Sequence, residues 1–187
     1  MTGDWMTTSA TAISTGTWTL DPTHTEIGFT VRHLMSKVRG KFETFEGTVT
    51  TRDDIADSRI DVSVDLSSIN TGTVDRDNHL RSSDFFEVET HPTMTFESTG
   101  IVEKAPGQFF VQGDLTIKGV TKPLELAVEI LGEGGDPWGG TRIGVEATAQ
   151  LSRKEFGIDF NIPLEGDKVM IGDKISIVIN AEAVLQG

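Results

Sequence analysis

The clearest alternation of oily and polar positions in this chain runs from Trp18 to His33. After Asp21-Pro22, the side chains of Ile27, Phe29, Val31 and His33 fall on one face of an extended strand. Glu26, Gly28, Thr30 and Arg32 fall on the other, because successive side chains point to opposite sides. An imidazole therefore sits at the end of an apolar face, which lines either a solid core or a cavity. The same period of two returns at Ile60, Val62, Val64 and Leu66, at Met94 and Phe96, and at Phe109, Val111, Leu115 and Ile117. It continues at Leu124, Leu126, Val128 and Ile130, at Ile143, Val145, Ala147 and Leu151, and at Ile175, Ile177 and Ile179 before Ala183. Runs of this kind, separated by turn residues, predict an all-β antiparallel domain and not alternating strand–helix units. The count is about eight strands, enough to close a small barrel with room for one ligand. Turns are expected at Asn70-Thr71-Gly72, Glu103 to Gly107, Gly132 to Gly140, and Glu165-Gly166-Asp167-Lys168.

One segment breaks the pattern. Between Val74 and Val88 no alternation exists, and Thr73 precedes Asp75 and Asp77 as a helix start would. A short helix or two helical turns is predicted here, with Leu80, Phe85 and Phe86 as the buried face that closes one end of the barrel.

Composition narrows the chemistry. At 187 residues, one domain buries enough surface to need no disulfide or metal staple, and the absence of cysteine excludes thiol nucleophiles and thiolate metal sites. A formal charge of −13, from 29 acidic and 16 basic residues, argues against a nucleic-acid partner, since phosphate binding relies on Lys and Arg. Residues 1–16 carry Asp4, no basic residue and no continuous apolar run, so they read as a flexible leader and not a signal peptide, with the domain spanning 17–187. No stretch approaches the roughly 20 apolar residues of a membrane span, and a cytoplasmic protein without stable membrane insertion is expected.

The four histidines, His24, His33, His79 and His91, form no H-x-x-x-H or H-x-E pairing, so no metal site is expected. His33 reads as a hydrogen-bonded interior histidine and His24 as the tie of a turn; His79 and His91 read as local structure. No G-x-S-x-G elbow occurs and no catalytic residue is assigned. The glycine cluster at 132–140 lacks the Lys-Ser/Thr of a phosphate loop and reads as a hairpin loop. The acid pairs Asp53/Asp54 and Asp75/Asp77 read as solvated turn residues. Ten phenylalanines and no tyrosine leave an interior that either packs solid or holds a hydrophobic molecule, and polarity alone does not separate the two.

Ordered motifs add a resemblance. Trp18-Thr19-Leu20-Asp21-Pro22-Thr23-His24-Thr25, Phe29-Thr30-Val31-Arg32-His33 and Val38-Arg39-Gly40-Lys41-Phe42 are similar to the opening of the YceI-like polyisoprenoid-binding family. Ser68-Ile69-Asn70-Thr71-Gly72, the run from Arg76 to Phe86, His91-Pro92-Thr93-Met94-Thr95-Phe96, the run from Gly113 to Pro123, and Arg153-Lys154-Glu155-Phe156-Gly157-Ile158 resemble its later blocks in the same order. The position before Pro92 is often aromatic in that family, and His91 departs from it.

The resemblance implies a lipocalin-like eight-stranded antiparallel β-barrel with a long internal tunnel for an isoprenoid chain. It implies non-catalytic binding, storage or transport of a long-chain isoprenoid lipid, of the quinone or polyprenyl phosphate type. A homodimer is implied too, with no cofactor and with transient membrane contact for lipid loading. The tunnel wall expected on this basis comprises Ile27, Phe29, Val31, His33, Phe42, Phe45, Val62, Val64, Leu80, Phe85, Phe86, Met94, Phe96, Leu115, Ile117 and Phe156. Arg32, Arg39, Lys41 and Arg81 are candidates to meet an anionic or quinone head at the mouth. Such a ligand is driven inward by about 0.8 kcal/mol for each buried CH₂, less the cost of ordering the chain. Two other readings stay open: an enzyme that uses His33 or His24 as acid or base on a bound lipid, and a ligand-free barrel that recruits a partner protein.

Overall fold

The computed structural model describes residues 13–166 and 168–187. Among them are eleven strands and one α-helix: β1 (Gly16–Leu20), β2 (Glu26–His33), β3 (Ser36–Phe42), β4 (Phe45–Thr51), β5 (Arg59–Asp65), β6 (Ile69–Asn70), α1 (Val74–Arg81), β7 (Thr93–Ala105), β8 (Gln108–Ile117), β9 (Val120–Gly135), β10 (Thr141–Ser152) and β11 (Ile171–Leu185). Three pairs run end to end. β1 and β2 both lie antiparallel to β11, along Leu185–Ala183 and Asn180–Ile171 respectively. β4 pairs with β1 and β5, while β3 pairs with β2 and β6. The eleven strands therefore make eight staves, each beside its neighbours in sequence, and the β1–β11 pairing closes the ring. This is the eight-stranded antiparallel barrel that the periodicity and the resemblance predicted.

Two of the breaks have a local cause. Asp21 and Asp65 each turn a carboxylate back to accept the amide two residues on, from Thr23 and Ser67, and so start a single 3₁₀ turn. Pro22, which has no amide to lose, occupies the first position of the first of these. Asp54 does the same for the connection between β4 and β5.

The two ends of the barrel differ. One end, here called the upper, is formed by short turns, including the Asp136–Gly140 loop in which the Asp136 carboxylate accepts amides from Trp138 and Gly140. That loop joins β9 to β10, as the hairpin reading of the glycine cluster anticipated. At the lower end lie the β2–β3 hairpin tip, α1, the Lys118-Gly119 turn and the long connection from β10 to β11.

The predicted helix is present but short. α1 ends at Arg81; Phe85 and Phe86 follow in turns whose amides reach back to Ser82 and Leu80. Its residues are mostly polar, with Val74 exposed and Leu80 turned to the core, and it is also held by Arg81, which donates to the carbonyls of Ser67 and Ile69.

The flexible-leader expectation for residues 1–12 lies outside the described residues. Ile13 packs into the barrel, Ser14 bonds Glu133, and Gly16 already belongs to β1. No helix among the described residues is long and apolar enough to cross a membrane.

Candidate functional site

Inward side chains do not fill the barrel. Two cavities of about 200 and 290 Å³ lie along its axis. Ile27, Met94 and Ile177 belong to the walls of both, so the cavities adjoin end to end. The upper wall is apolar apart from Thr48, Thr51 and Ser58. The hydroxyls of Thr51 and Ser58 are spent inside the protein: Thr51 donates to the Ser14 carbonyl and accepts from the Trp18 indole, and Ser58 accepts from the Arg52 amide. This cavity offers a ligand little but hydrocarbon.

The lower cavity has the same apolar walls with a polar cluster added: His33, Thr71, Arg76, His79 and Arg153. Each is positioned by a definable device. His33 is the last inward residue of β2, opposite Ser36 and Ile171. Its backbone carbonyl accepts from Ser36 Oγ, whereas its ring has no protein hydrogen-bond partner among the described residues. The expectation of a hydrogen-bonded interior histidine is thus not met, because the ring faces open cavity and not a packed strand.

Thr71 and Arg76 are fixed by buried Asp77, which accepts from both the amide and the hydroxyl of Thr71. Arg76 donates Nε to the Thr71 hydroxyl and Nη2 to its carbonyl. On the next turn of α1, His79 bonds Asp84 through Nε2 at 2.8 Å and meets Phe85 and Phe160 edge-on at 5.0 and 4.9 Å.

Arg153 is the most deeply set of the group. It begins a 3₁₀ turn, Arg153–Phe156, that folds the end of β10 across the barrel and puts both Arg153 and Phe156 inside. Gly157 ends the turn at a φ of 74°, a left-handed conformation that suits glycine. The guanidinium donates to four backbone carbonyls, those of Gly172, Ile158, Phe160 and Ile171, and has no carboxylate within 4.0 Å among the described residues. Burial pushes its pKa down, and the fields of Asp173 and Asp159 oppose that shift. Arginine stays charged under any such perturbation at neutral pH.

Fifteen of the sixteen wall residues named from the sequence border one cavity or both. Phe45 is the other; it packs on the core cluster of Phe42, Val64 and Leu66 and borders a separate groove beside Pro22 and Lys41. Among the head-group candidates, Arg32, Arg39 and Lys41 alternate with inward Val31, Val38 and Phe42 and so lie on the outer face, exposed. Arg81 is consumed in bonds to Ser67, Ile69 and Asn78. Thr71, Arg76, His79 and Arg153 border the lower cavity without being expected there from the sequence, in which His79 reads as local structure. A sign of Arg153 was available in its place just after the last inward residue of an alternating run.

A second polar cluster lies on the outer wall. Asp21, His24 and Glu182 offer ligand atoms within 4.8 Å of one another. The centre is already taken by Arg142, which donates to Asp21 at 2.6 Å, to Asp136 at 2.8 Å and to Glu182 at 3.2 Å. The Arg142 bond, followed by that of His24, holds the Asp21 carboxyl well below the usual carboxylate range. The Gly140 amide and then Arg142 lower Asp136. A guanidinium at the focus of the acids leaves no room for a cation, and the cluster acts as a latch between the β1–β2 turn, β10 and β11.

A closed barrel with an axial cavity and ordered matches from end to end can be set beside known proteins. Residues 18–183 match the YceI-like domain. The chain belongs to the YceI-like family. A UPF0312 protein of Vibrio parahaemolyticus is 40% identical over 156 residues, which cover 82% of this chain and 80% of that protein. In structure, the Campylobacter jejuni YceI protein superposes with a TM-score of 0.71 at 29% identity, covering 83% of this chain and 90% of that one. A polyisoprenoid-binding domain from Saccharophagus degradans superposes at 0.67 with 16% identity, covering 92% and 100%. At that identity the second likeness shows the fold alone.

Proposed function

We propose that this YceI-like barrel is a non-catalytic carrier or store for a long-chain isoprenoid lipid of the quinone or polyprenyl phosphate type. The observation that carries the reading is the pair of adjoining cavities, apolar along their length with a polar cluster at one end. A ligand with a long hydrocarbon tail and one polar head matches that distribution: the tail lies along the upper cavity and the head meets His33, Thr71, Arg76, His79 and Arg153 below. The Saccharophagus degradans domain that shares the fold is itself described as polyisoprenoid-binding, so the fold is compatible with a ligand of this class. Shape then selects the tail, since methyl branches must fit between inward Ile, Val and Phe side chains. As proposed, the carrier acts as a cytoplasmic homodimer that touches membranes without inserting stably.

Organic extraction of the purified protein, followed by mass spectrometry, tests this. Recovery of a long-chain isoprenoid at near-stoichiometric amount is expected. Repeated recovery of lipid-free protein that also takes up no isoprenoid from detergent would sink the proposal.

A further inference from the structure

The lower end carries an apolar lip that none of the described residues covers. Met35 is fully exposed at the β2–β3 hairpin tip, and Leu34 beside it is 45% exposed. Across from them, in the β10–β11 connection, Ile162 is 45% and Leu164 36% exposed. The two segments are one surface, because the Leu34 amide donates to the Met170 carbonyl and the Met170 amide donates to that of Ile162. Ile162 and Met170 also line the lower cavity, so the lip is continuous with the wall around the polar cluster.

Charge says what this lip meets. The protein carries −13 overall, yet the hairpin segment from Val31 to Lys41 holds Arg32, Lys37, Arg39 and Lys41 and no acid. All four basic side chains are exposed. In sequence the facing connection from Asp159 to Lys168 holds three acids, Asp159, Glu165 and Asp167, against the one base Lys168, so the positive field belongs to the hairpin alone. Apolar side chains at a tip, flanked by cations in an otherwise acidic molecule, match a bilayer with anionic head groups: the apolar residues enter the acyl boundary and the cations meet phosphate. A folding role is a poor account of Leu34. It holds a φ of 54°, which suits asparagine or glycine, and its side chain is largely in water.

We infer that the β2–β3 tip and the Ile162–Leu164 loop form a docking surface for anionic membranes, through which the lower cavity is presented to the bilayer. The docking surface stands on exposure and charge; only its use in lipid loading rests on the carrier reading. Docking by a tip this small is reversible and salt-sensitive, since exposed charges are screened beyond about 10 Å at 0.1 M salt.

The test is flotation of the full-length protein with vesicles of phosphatidylcholine mixed with phosphatidylglycerol, against vesicles of phosphatidylcholine alone. Binding to the mixed vesicles only, reversed by high salt, is expected. Lys37→Gln with Arg39→Gln lowers partitioning by about fivefold per charge, or roughly 25-fold together. Leu34→Asn with Met35→Asp abolishes it, and the asparagine suits the backbone at position 34, so the fold is retained and is checked by circular dichroism. Leu131→Asp, on exposed β9 surface, leaves binding unchanged.

Binding that survives the tip variants, or equal binding to both vesicle types, overturns the inference. So does a dimer in sedimentation that Met35→Asp dissociates, because a second copy would then cover the lip. Extraction separates the two proposals. A protein that carries isoprenoid but ignores anionic vesicles refutes docking alone, and one that docks but never holds lipid refutes the carrier alone.

Discussion

Replacing Ala147 by leucine asks whether the upper cavity is real empty space. Ala147 is buried on β10, between Val128 and Ile179 on the neighbouring strands, and its methyl borders the cavity of about 200 Å³. Leucine adds three carbons there. At about 0.8 kcal/mol for each buried CH₂ the gross gain is about 2.4 kcal/mol. Fixing the new side chain removes about 0.5 to 1 kcal/mol as rotamer entropy. A net gain of about 1.5 kcal/mol is expected in the lipid-free protein, which for a chain of this size raises Tm by about 3 to 6 °C. In a solid core the same change would be overpacking, with a loss of about 1 to 3 kcal/mol. The sign of the effect is therefore the measurement. Calorimetry of delipidated wild type and variant reads it, and the variant should also retain less isoprenoid because the tail has lost space. A lower Tm with unchanged lipid retention would refute the cavity and the carrier reading built on it.

The latch around Arg142 predicts a pH dependence. Asp21 and Asp136 titrate lower in the folded protein than in the unfolded chain, whose carboxylates take up protons near 3.8. Their contribution is complete above that value and is lost as pH falls through the folded-state values. Thermal melts should show the loss in wild type and a smaller one in Arg142→Ala, and parallel curves would remove the latch from the account. Gly113→Ala should cost about 1 to 3 kcal/mol in urea unfolding, since the new methyl meets the Phe96 ring and lies 2.7 Å from the Glu97 carbonyl; an unchanged midpoint would mean the strands have slack. His33→Leu should leave the barrel folded and weaken a polar-headed isoprenoid by about fivefold, the worth of one hydrogen bond, without affecting a head-less hydrocarbon of equal length. Titration of both ligands with calorimetric or fluorescence readout decides it, and equal weakening of the two would deny His33 a head-group contact.

Strand periodicity made most of this barrel legible. Wherever an apolar residue recurred every second position, as at Ile175, Ile177 and Ile179, the structure puts the set inside. Turn residues likewise marked Gly72, Gly107 and Gly166, all of which adopt positive φ. What periodicity could not reveal was tied to tertiary closure. Nothing local marks the Leu34-Met35 tip, because its residues look like a continuation of the strand; the turn exists because β2 and β3 must pair with each other. Phe45 keeps the inward parity of β4 and packs on the buried cluster of Phe42, Val64 and Leu66, but it sits at the break beside Glu43-Thr44, where the core is filled and neither axial cavity reaches it. Arg32, Arg39 and Lys41 were attractive for their charge, although their alternation with inward residues already assigned them to the outer face. Of the charged groups that do border the cavity, Arg76 comes from a helix to which the period of two does not apply, and Arg153 stands one period past inward Leu151, at the start of a 3₁₀ turn.

Arg153 also explains why the polarity of the interior is one-sided. A buried guanidinium is ordinarily matched by a carboxylate, which satisfies both its donors and its charge. Here the donors are satisfied by carbonyls of the segments on either side of the β10–β11 connection, Ile158 and Phe160 on one and Ile171 and Gly172 on the other. The arrangement clamps that connection across the lower end while leaving most of the positive charge without a counterion in contact. Arg76 is in a similar state, since both of its bonds go to Thr71, and Asp77 spends its bonds on Thr71 too. Two cations thus face the lower cavity of a protein with a net charge of −13, and the upper cavity has no ionisable wall residue among the described residues. An electron-rich head group gains from that field only at the lower end, whereas the tail is indifferent to it. On the carrier reading, the same asymmetry that positions Arg153 to close the barrel therefore sets the direction of a tailed ligand, with its head toward the connection that the arginine holds.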